Sequence, residues 1–565
     1  MRSSSFRHLA HAGPFLGLAL SAIVGLTACN GCGRRGAPQA ESTTSAAPSY
    51  GTPSVRIYAV SNLAGALEPC GCTKDQLGGV DHLAAFIAHD RGEARGSLVL
   101  AVGPTMFLDP RLEEKRSTQD RWKAEAISAS LADMGLSAWT PGYNDWAGGA
   151  PLLATLAKSA QGPLVAANLE GADGAVKSVV RDVGGTKVGI VGVSAPASAG
   201  ARPDGVEVKD PGPALAAAIA EARSQGAKMV IGMAALPRGE ALRLAEQAPD
   251  LSALLIGKPV DAGEANDAPP APVLIGNVLV VQTSNHLQTV GVIDFFVHGD
   301  DYKFQDATGM ANAEALVSLN KRIRDYEGRL AEWEKDPSLR SEDLAARRAD
   351  LKKMRDEQAR LGNREPPKSG SFFRYTLTEV REKLGRDAQV EQRMSSFYKR
   401  VNDHNKTAFA GRKPPPVPAG KSGYAGIELC TGCHLEERRV WDRTAHARAY
   451  PTLSVQFKEY NLDCVSCHVT GYEKPGGSTV TMNESLRNVQ CEECHGPGAA
   501  HAKAPETKGL IDPSPPLGMC ASACHHPPHV EGFDAAQAKQ FIIGPGHGMP
   551  DHAPWPAWAR DGGAH

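Results

Sequence analysis

Cys430-Thr431-Gly432-Cys433-His434 opens a series that continues with Cys464-Val465-Ser466-Cys467-His468 and Cys491-Glu492-Glu493-Cys494-His495. A looser copy, Cys520-Ala521-Ser522-Ala523-Cys524-His525, has three residues between its cysteines. C-x-x-C-H is the pattern of covalent c-type haem attachment: two thiols add to the porphyrin vinyl groups and the adjoining imidazole reaches the iron from one face. A single copy is equally compatible with a zinc half-site or a redox dithiol. Three strict copies and one near-copy within about a hundred residues point to a multihaem segment, with structural zinc knuckles as the competing reading.

Such an iron usually takes a second ligand on its other face. Besides the motif histidines, the region holds His446, His501, His526, His529, His547, His552 and His565. His446 lies in Trp441-Asp442-Arg443-Thr444-Ala445-His446-Ala447 and His501 in Gly496-Pro497-Gly498-Ala499-Ala500-His501. From about Tyr424 to His547 the chain resembles the tetrahaem cytochromes of the hydroxylamine-oxidation type. The resemblance implies four haem c groups. Their thioethers would form at Cys430 and Cys433, Cys464 and Cys467, Cys491 and Cys494, and Cys520 and Cys524, with His434, His468, His495 and His525 as proximal ligands. It implies distal roles for His446 and His501, and for His547 and His529, where a solvated loop histidine is the alternative. In that family one haem can also lack a distal ligand and stay open. The extra residue of the fourth motif must bulge for both thioethers to form. Bis-histidine ligation lacks the potential-raising methionine, so low potentials are expected.

At 565 residues the chain is too long for one core, and two or three domains are expected. A formal net charge of -2 implies no nucleic-acid partner. Arg2 and Arg7 precede an apolar run, Phe15 to Thr27, too short to span a membrane. It ends in Leu26-Thr27-Ala28-Cys29, which resembles a bacterial lipoprotein lipobox; that implies cleavage before Cys29, lipid on its sulfur, and a membrane-anchored protein facing periplasm or cell surface. An ordinary secretory signal is the alternative. Of twelve cysteines, eight lie in the motifs; with Cys29 set aside, Cys32, Cys70 and Cys72 remain. That odd number leaves at least one unpaired or bonded elsewhere in an oxidising compartment.

From Val55 to about Asp300, short apolar runs alternate with Ala- and Leu-rich stretches. The runs include 56–60, 98–102, 164–167, 188–193, 229–231, 254–256, 278–281 and 292–296, the pattern of an α/β domain built on sheet. Gly184-Gly185 predicts a hairpin turn. The order of elements and the loops after them resemble the metallophosphatase domain of bacterial 5'-nucleotidases, which holds two metal ions at strand ends. Here the ligand loops read Val60-Ser61-Asn62-Leu63-Ala64-Gly65, Gly103-Pro104, Gly142-Tyr143-Asn144-Asp145, Met233-Ala234-Ala235 and Ile256-Gly257-Lys258-Pro259. Hard divalent ions need several oxygen or imidazole donors, and these loops have lost most of them, so a catalytically dead scaffold is expected. Glu68-Pro69-Cys70-Gly71-Cys72 follows the first strand. A Cys70/Cys72 redox pair, a soft metal site and a structural disulfide are all open.

Ala311 to Gly362 is charged helix, with Leu316, Leu319, Ile323, Tyr326, Leu330 and Trp333 three and four apart. Asp336-Pro337 breaks it and Leu344, Leu351, Met354 and Leu361 continue it, predicting an antiparallel helical hairpin or half of a dimer interface. Phe372–Glu379 reads as a strand, Asp387–Asp403 as a helix, and Lys413 to Pro418 as a polyproline spacer. The expected organisation is multidomain: signal peptide 1–28, tether 29–54, degenerate α/β metallophosphatase-like sandwich 55–300, helical hairpin and connector 301–410, Pro-rich linker 411–423, and a mainly helical and irregular tetrahaem cytochrome domain 424–565. An electron-transfer lipoprotein serving redox partner proteins is the leading expectation. The alternative is a multihaem oxidoreductase acting on a small nitrogen or sulfur compound.

Overall fold

The computed structural model describes residues 50–560 apart from 70–75, 196–203, 262, 337, 363–365, 528 and 531. The signal segment, the tether up to residue 49, Cys29, Cys32, Cys70, Cys72 and His565 therefore lie outside the described residues.

Strands buried on both faces read as near-continuous apolar runs, and Val55–Ser61, Ser97–Gly103 and Met229–Ala235 are of this kind. They belong to two sheets lying face to face. The first runs, in spatial order, through Gln305–Asp306, Phe372–Glu379, Thr289–Phe296, Val55–Ser61, Ser97–Gly103, Leu136–Pro141, Leu164–Val165 and Ala175–Val176. The second runs through Val273–Ile275, Val278–Val281, Ala253–Ile256, Met229–Ala235, Thr186–Ser194 and Ser178–Val183. Alternation along one strand sends Val55, Ile57 and Ala59 towards Ile190, Ile231 and Leu255 of the second sheet. Tyr58 and Val60 face the other way, into a core with helices α1 (Val80–Asp90), α2 (Ser117–Asp133) and α3 (Gly149–Ala160). Helices α4 (Pro211–Ser224) and α5 (Arg238–Gln247) cover the outer face of the second sheet. The result is a helix–sheet–sheet–helix sandwich, the α/β class that the alternating runs imply. Gly184 and Gly185 make the expected hairpin turn at φ of 58° and 84°, the left-handed region a two-residue connection requires.

The first sheet continues beyond residue 300. Phe372–Glu379 pairs antiparallel with Thr289–Phe296 along its whole length, so the expected boundary falls inside the sheet. Helices α6 (Ala313–Trp333) and α7 (Ser341–Gly362) form an excursion from it. Leu319, Ile323 and Leu330 pack against Leu351, Met354 and Leu361, and the predicted seam closes within the chain. Helix α8 (Ala388–Ala408) is capped by Asp387, whose carboxylate accepts from the amides of Gln389 and Val390. It places Val390, Met394, Phe397 and Val401 in the core beneath the first sheet, and Phe409 just beyond it enters the C-terminal core with Tyr450, Leu462, Val465, Val469 and Val480.

The proline-rich stretch is no free spacer. A polyproline backbone leaves its carbonyls unpaired. Here Pro415 accepts from the Gly476 amide at 2.9 Å, and Arg412 and Phe409 accept from the hydroxyls of Thr479 and Thr481. The sandwich and the C-terminal region consequently belong to one compact unit. Among the described residues, no helix is long and apolar enough to cross a membrane.

Candidate haem-binding site

Each motif folds as a tight turn. The Cys430 carbonyl accepts from the amides of Cys433 and His434, at 3.2 and 3.0 Å. In the fourth motif the Cys520 carbonyl accepts from Cys524 and His525, at 3.2 and 2.9 Å. The extra residue is taken up by widening the turn from four residues to five, as in a π-bulge. The His525 ring is stacked on Phe533, with centroids 4.2 Å apart and planes within 11°.

Two imidazoles on opposite faces of one metal, each bonded at about 2 Å, have ring centroids roughly 6 Å apart. Three motif histidines meet a candidate distal histidine at that spacing. His434 and His501 are 6.2 Å apart, His446 and His525 6.2 Å, and His495 and His547 6.3 Å. Outer nitrogens are tied down as ligating imidazoles require: Nδ1 of His495 donates to the Asp512 carbonyl at 2.7 Å and Nδ1 of His547 to Ile542 at 2.9 Å. Nδ1 of His468 likewise donates to the Ala449 carbonyl. Burial, and then His525, pushes His446 down to about 4; burial also lowers His468, His525 and His529. All are drawn towards the neutral form that binds metal. These residues fit the group the motifs imply. Among the described residues, His468 alone of the motif histidines has no ring partner at this spacing. His529 lies within its electrostatic range and packs on His526, 5.9 Å away. His552 is exposed.

The motifs are brought together out of chain order. The helical turn Ile427–Thr431 packs against Cys491–His495, and the Cys467 thiol lies 4.0 Å from the Ala523 carbonyl of the fourth motif. Cys494 feels the charge of Cys520. The spatial order is therefore first, third, fourth, second. Buried Glu492 fastens the first two, accepting from the amides of Ala425, Gly426 and Gly498 at 2.7 to 3.1 Å, and Gln490 Oε1 accepts from Ile427 at 2.8 Å. Sequence reading missed both; a Glu between two motif cysteines carries no local signal.

At the other end of the series, the segment before Cys464 is clamped to the sandwich. Asp463 accepts from Lys123 at 2.6 Å and pairs with Arg116, both on α2 or at its start. Gln119, buried between them in sequence, accepts from Leu462 and Asn405 at 3.0 Å and donates to Asn461 at 3.2 Å. Glu68 is ion-paired to Lys458. The second motif thus stands against the carboxyl ends of the sandwich strands, where the degenerate ligand loops lie.

Those loops are occupied structurally. Asp145 accepts from the amides of Thr105, Met106 and Gly142 at 2.7 to 3.1 Å, and burial still pushes it up to about 7. Asn62 is buried with neither side-chain polar atom partnered. Its Oδ1 would lie 2.6 Å from a Cβ added at Gly103, and Gly257 packs on the same glycine. Among the described residues no three His, Cys, Asp or Glu side chains gather as a bare-metal site. His82 is buried with Nδ1 donating to the Gly385 carbonyl, and His89 is exposed.

The family model described as cytochrome c554 and c-prime matches residues 429–496. Cytochrome c-554 of Nitrosomonas europaea is 33% identical over 96 residues, 14% of this chain and 41% of the cytochrome, so the chain spans less than half of that relative. Among solved structures, a 5'-nucleotidase precursor from Thermus thermophilus is 16% identical at TM-score 0.41, covering 69% of this chain and 66% of its own. The calcineurin-like phosphoesterase YfkN from Bacillus subtilis is 18% identical at TM-score 0.36, covering 43% of this chain and 85% of its own. The C-terminal part of the chain is thus similar to the cytochrome c554 family, a similarity that implies covalently bound haem c, and the part before it resembles 5'-nucleotidase and metallophosphatase proteins.

Proposed function

We propose that the chain is an exported electron-transfer protein, lipid-anchored through Cys29, with four haems c bound at the four motifs and a catalytically inert sandwich as scaffold. The observation that carries this reading is the set of three histidine pairs 6.2 to 6.3 Å apart, each joining a motif histidine to one far away in sequence. Haem c supplies reversible one-electron chemistry at iron. The residues supply its order: a series running from the first motif, where Cys433 and His434 are exposed, through the third and fourth to the second against the sandwich. Redox partner proteins would meet the exposed first-motif end. The test is electron paramagnetic resonance on the oxidised holoprotein. Three low-spin bis-imidazole signals per chain support the relay, and fewer than two sink it.

A second reading is favoured by one observation. Among the described residues His468 has no ring partner at the ligation spacing, which would leave its iron open and make the protein an oxidoreductase for a small nitrogen or sulfur compound.

A further inference from the structure

A carboxylate held away from water needs either a cation or several hydrogen-bond donors. Glu492, between the two cysteines of the third motif, is 1% exposed and has only the donors. Its Oε1 accepts from the amides of Ala425 and Gly498 at 2.8 and 2.7 Å, and its Oε2 from Gly426 at 2.7 Å and Ala425 at 3.1 Å. The successive Ala425 and Gly426 amides converge on it with Gly426 at φ 83°, the left-handed backbone that shapes an anion-binding concavity from consecutive N–H groups. A side chain at Gly426 would bring its Cβ to 2.9 Å from the Ser485 carbonyl oxygen.

No cationic side chain among the described residues pairs with this carboxylate. Arg438 is engaged by Glu428 and Asp442, Lys474 by Glu493, and Arg487 by Asn483 and the Tyr450 ring. Amide dipoles stabilise the charge and leave it a net anion. At the other end of the series the anion is compensated: Asp463 is paired with both Arg116 and Lys123. The uncompensated charge lies where two motifs meet. Glu492 adjoins Cys491 in the chain, and its partner Gly426 precedes the turn Ile427–Thr431 that carries Cys430.

We propose that Glu492 is a fixed negative charge that lowers the potentials of the first- and third-motif haems and makes them the donor end of the series. This rests on the reading that haems occupy all four motifs. Adding one electron to a ferric bis-imidazole haem removes one positive charge from the iron, makes or breaks no bond and moves no proton. An anion close by favours the ferric form and opposes that reduction. At an effective dielectric of about 20, a unit charge about 10 Å away changes such an equilibrium on the order of tenfold. An electron taken from a redox partner protein at the exposed first motif then runs downhill, through the third and fourth haems to the second beside the sandwich.

The test is a redox titration of the holoprotein followed by electron paramagnetic resonance, with the first- and third-motif signals assigned as those lost in H501A and H547A. E492Q removes the charge and nearly keeps the shape. Q490L loosens the same junction, where Gln490 Oε1 accepts from the Ile427 amide at 2.8 Å, without removing a charge. The expected result in E492Q is reduction about tenfold more favourable at both haems, about 59 mV for one electron, with the fourth haem unchanged and no shift in Q490L. Unchanged values in E492Q at full haem content, or an equal shift in Q490L, overturn the proposal and leave the four-haem reading standing. Where E492Q does not mature, the wild type decides: the first and third haems must be the last to reduce as the potential is lowered, and either one reducing before the fourth overturns the proposal. A wild type with fewer than four haems overturns the four-haem reading and the proposal with it.

Discussion

Replacing Asp463 by Asn removes the charge on which the sandwich and the second motif meet. Its carboxylate holds Lys123 at 2.6 Å together with Arg116, and the three side chains are 28%, 17% and 24% exposed. Burial pushes the acid up, yet Lys123 and Arg116 outweigh it and hold Asp463 well below the usual carboxylate range. Deleting one partner of a fully buried pair costs about 3–5 kcal/mol, and an exposed pair is worth about 0–1 kcal/mol. With roughly a quarter of each side chain exposed and one Asn oxygen still able to accept, the expected loss is about 2 kcal/mol. The sign with pH follows from the depressed value. The stabilisation is complete above the unfolded carboxylate pKa near 4 and is lost as pH falls below it towards the folded value. Urea titration of the holoprotein, followed by Soret absorbance and tryptophan fluorescence, reads this as a shift in midpoint at constant slope. D463N should unfold at lower urea at pH 7, by an amount that shrinks at pH 3. An unchanged midpoint at pH 7 would refute the clamp.

His501→Ala should leave the His434 iron without its second imidazole, adding one high-spin ferric signal per chain and carbon monoxide binding in the reduced protein; an unchanged spectrum would mean that the pair at 6.2 Å is not a ligand pair. Leu351→Ala opens a cavity in the hairpin seam and should cost about 2–4 kcal/mol locally. Hydrogen exchange would rise in α6 and α7 while the haem spectra stay as they were. Phosphomonoester hydrolysis with added manganese should not exceed the rate without protein, since the Asp145 oxygens are taken up by backbone amides; turnover that a chelator abolishes would contradict an inert sandwich.

The parts legible in the sequence are those whose physics is local. Covalent attachment needs two thiols and an imidazole within a few residues, so Cys430–His434 and its copies announce themselves. The hairpin seam is likewise a three-and-four spacing. Leu136–Pro141 was not legible as a strand, because Ser137, Thr140 and Pro141 interrupt its apolar run although all but one of its residues are buried. Phe372–Glu379 was legible as a strand but not as a neighbour of Thr289–Phe296, since pairing across an intervening hairpin leaves no local trace. The partnership of His446 with His525 spans 79 positions and exists only in three dimensions.

The most direct measurement is the intact mass of the holoprotein, beside a pyridine haemochrome count and peptide mapping of the thioethers. Four haems per chain are predicted, including one on Cys520 and Cys524 in the widened turn. Three haems with those two thiols free would contradict the four-haem series, and none would overturn the reading of the whole C-terminal region.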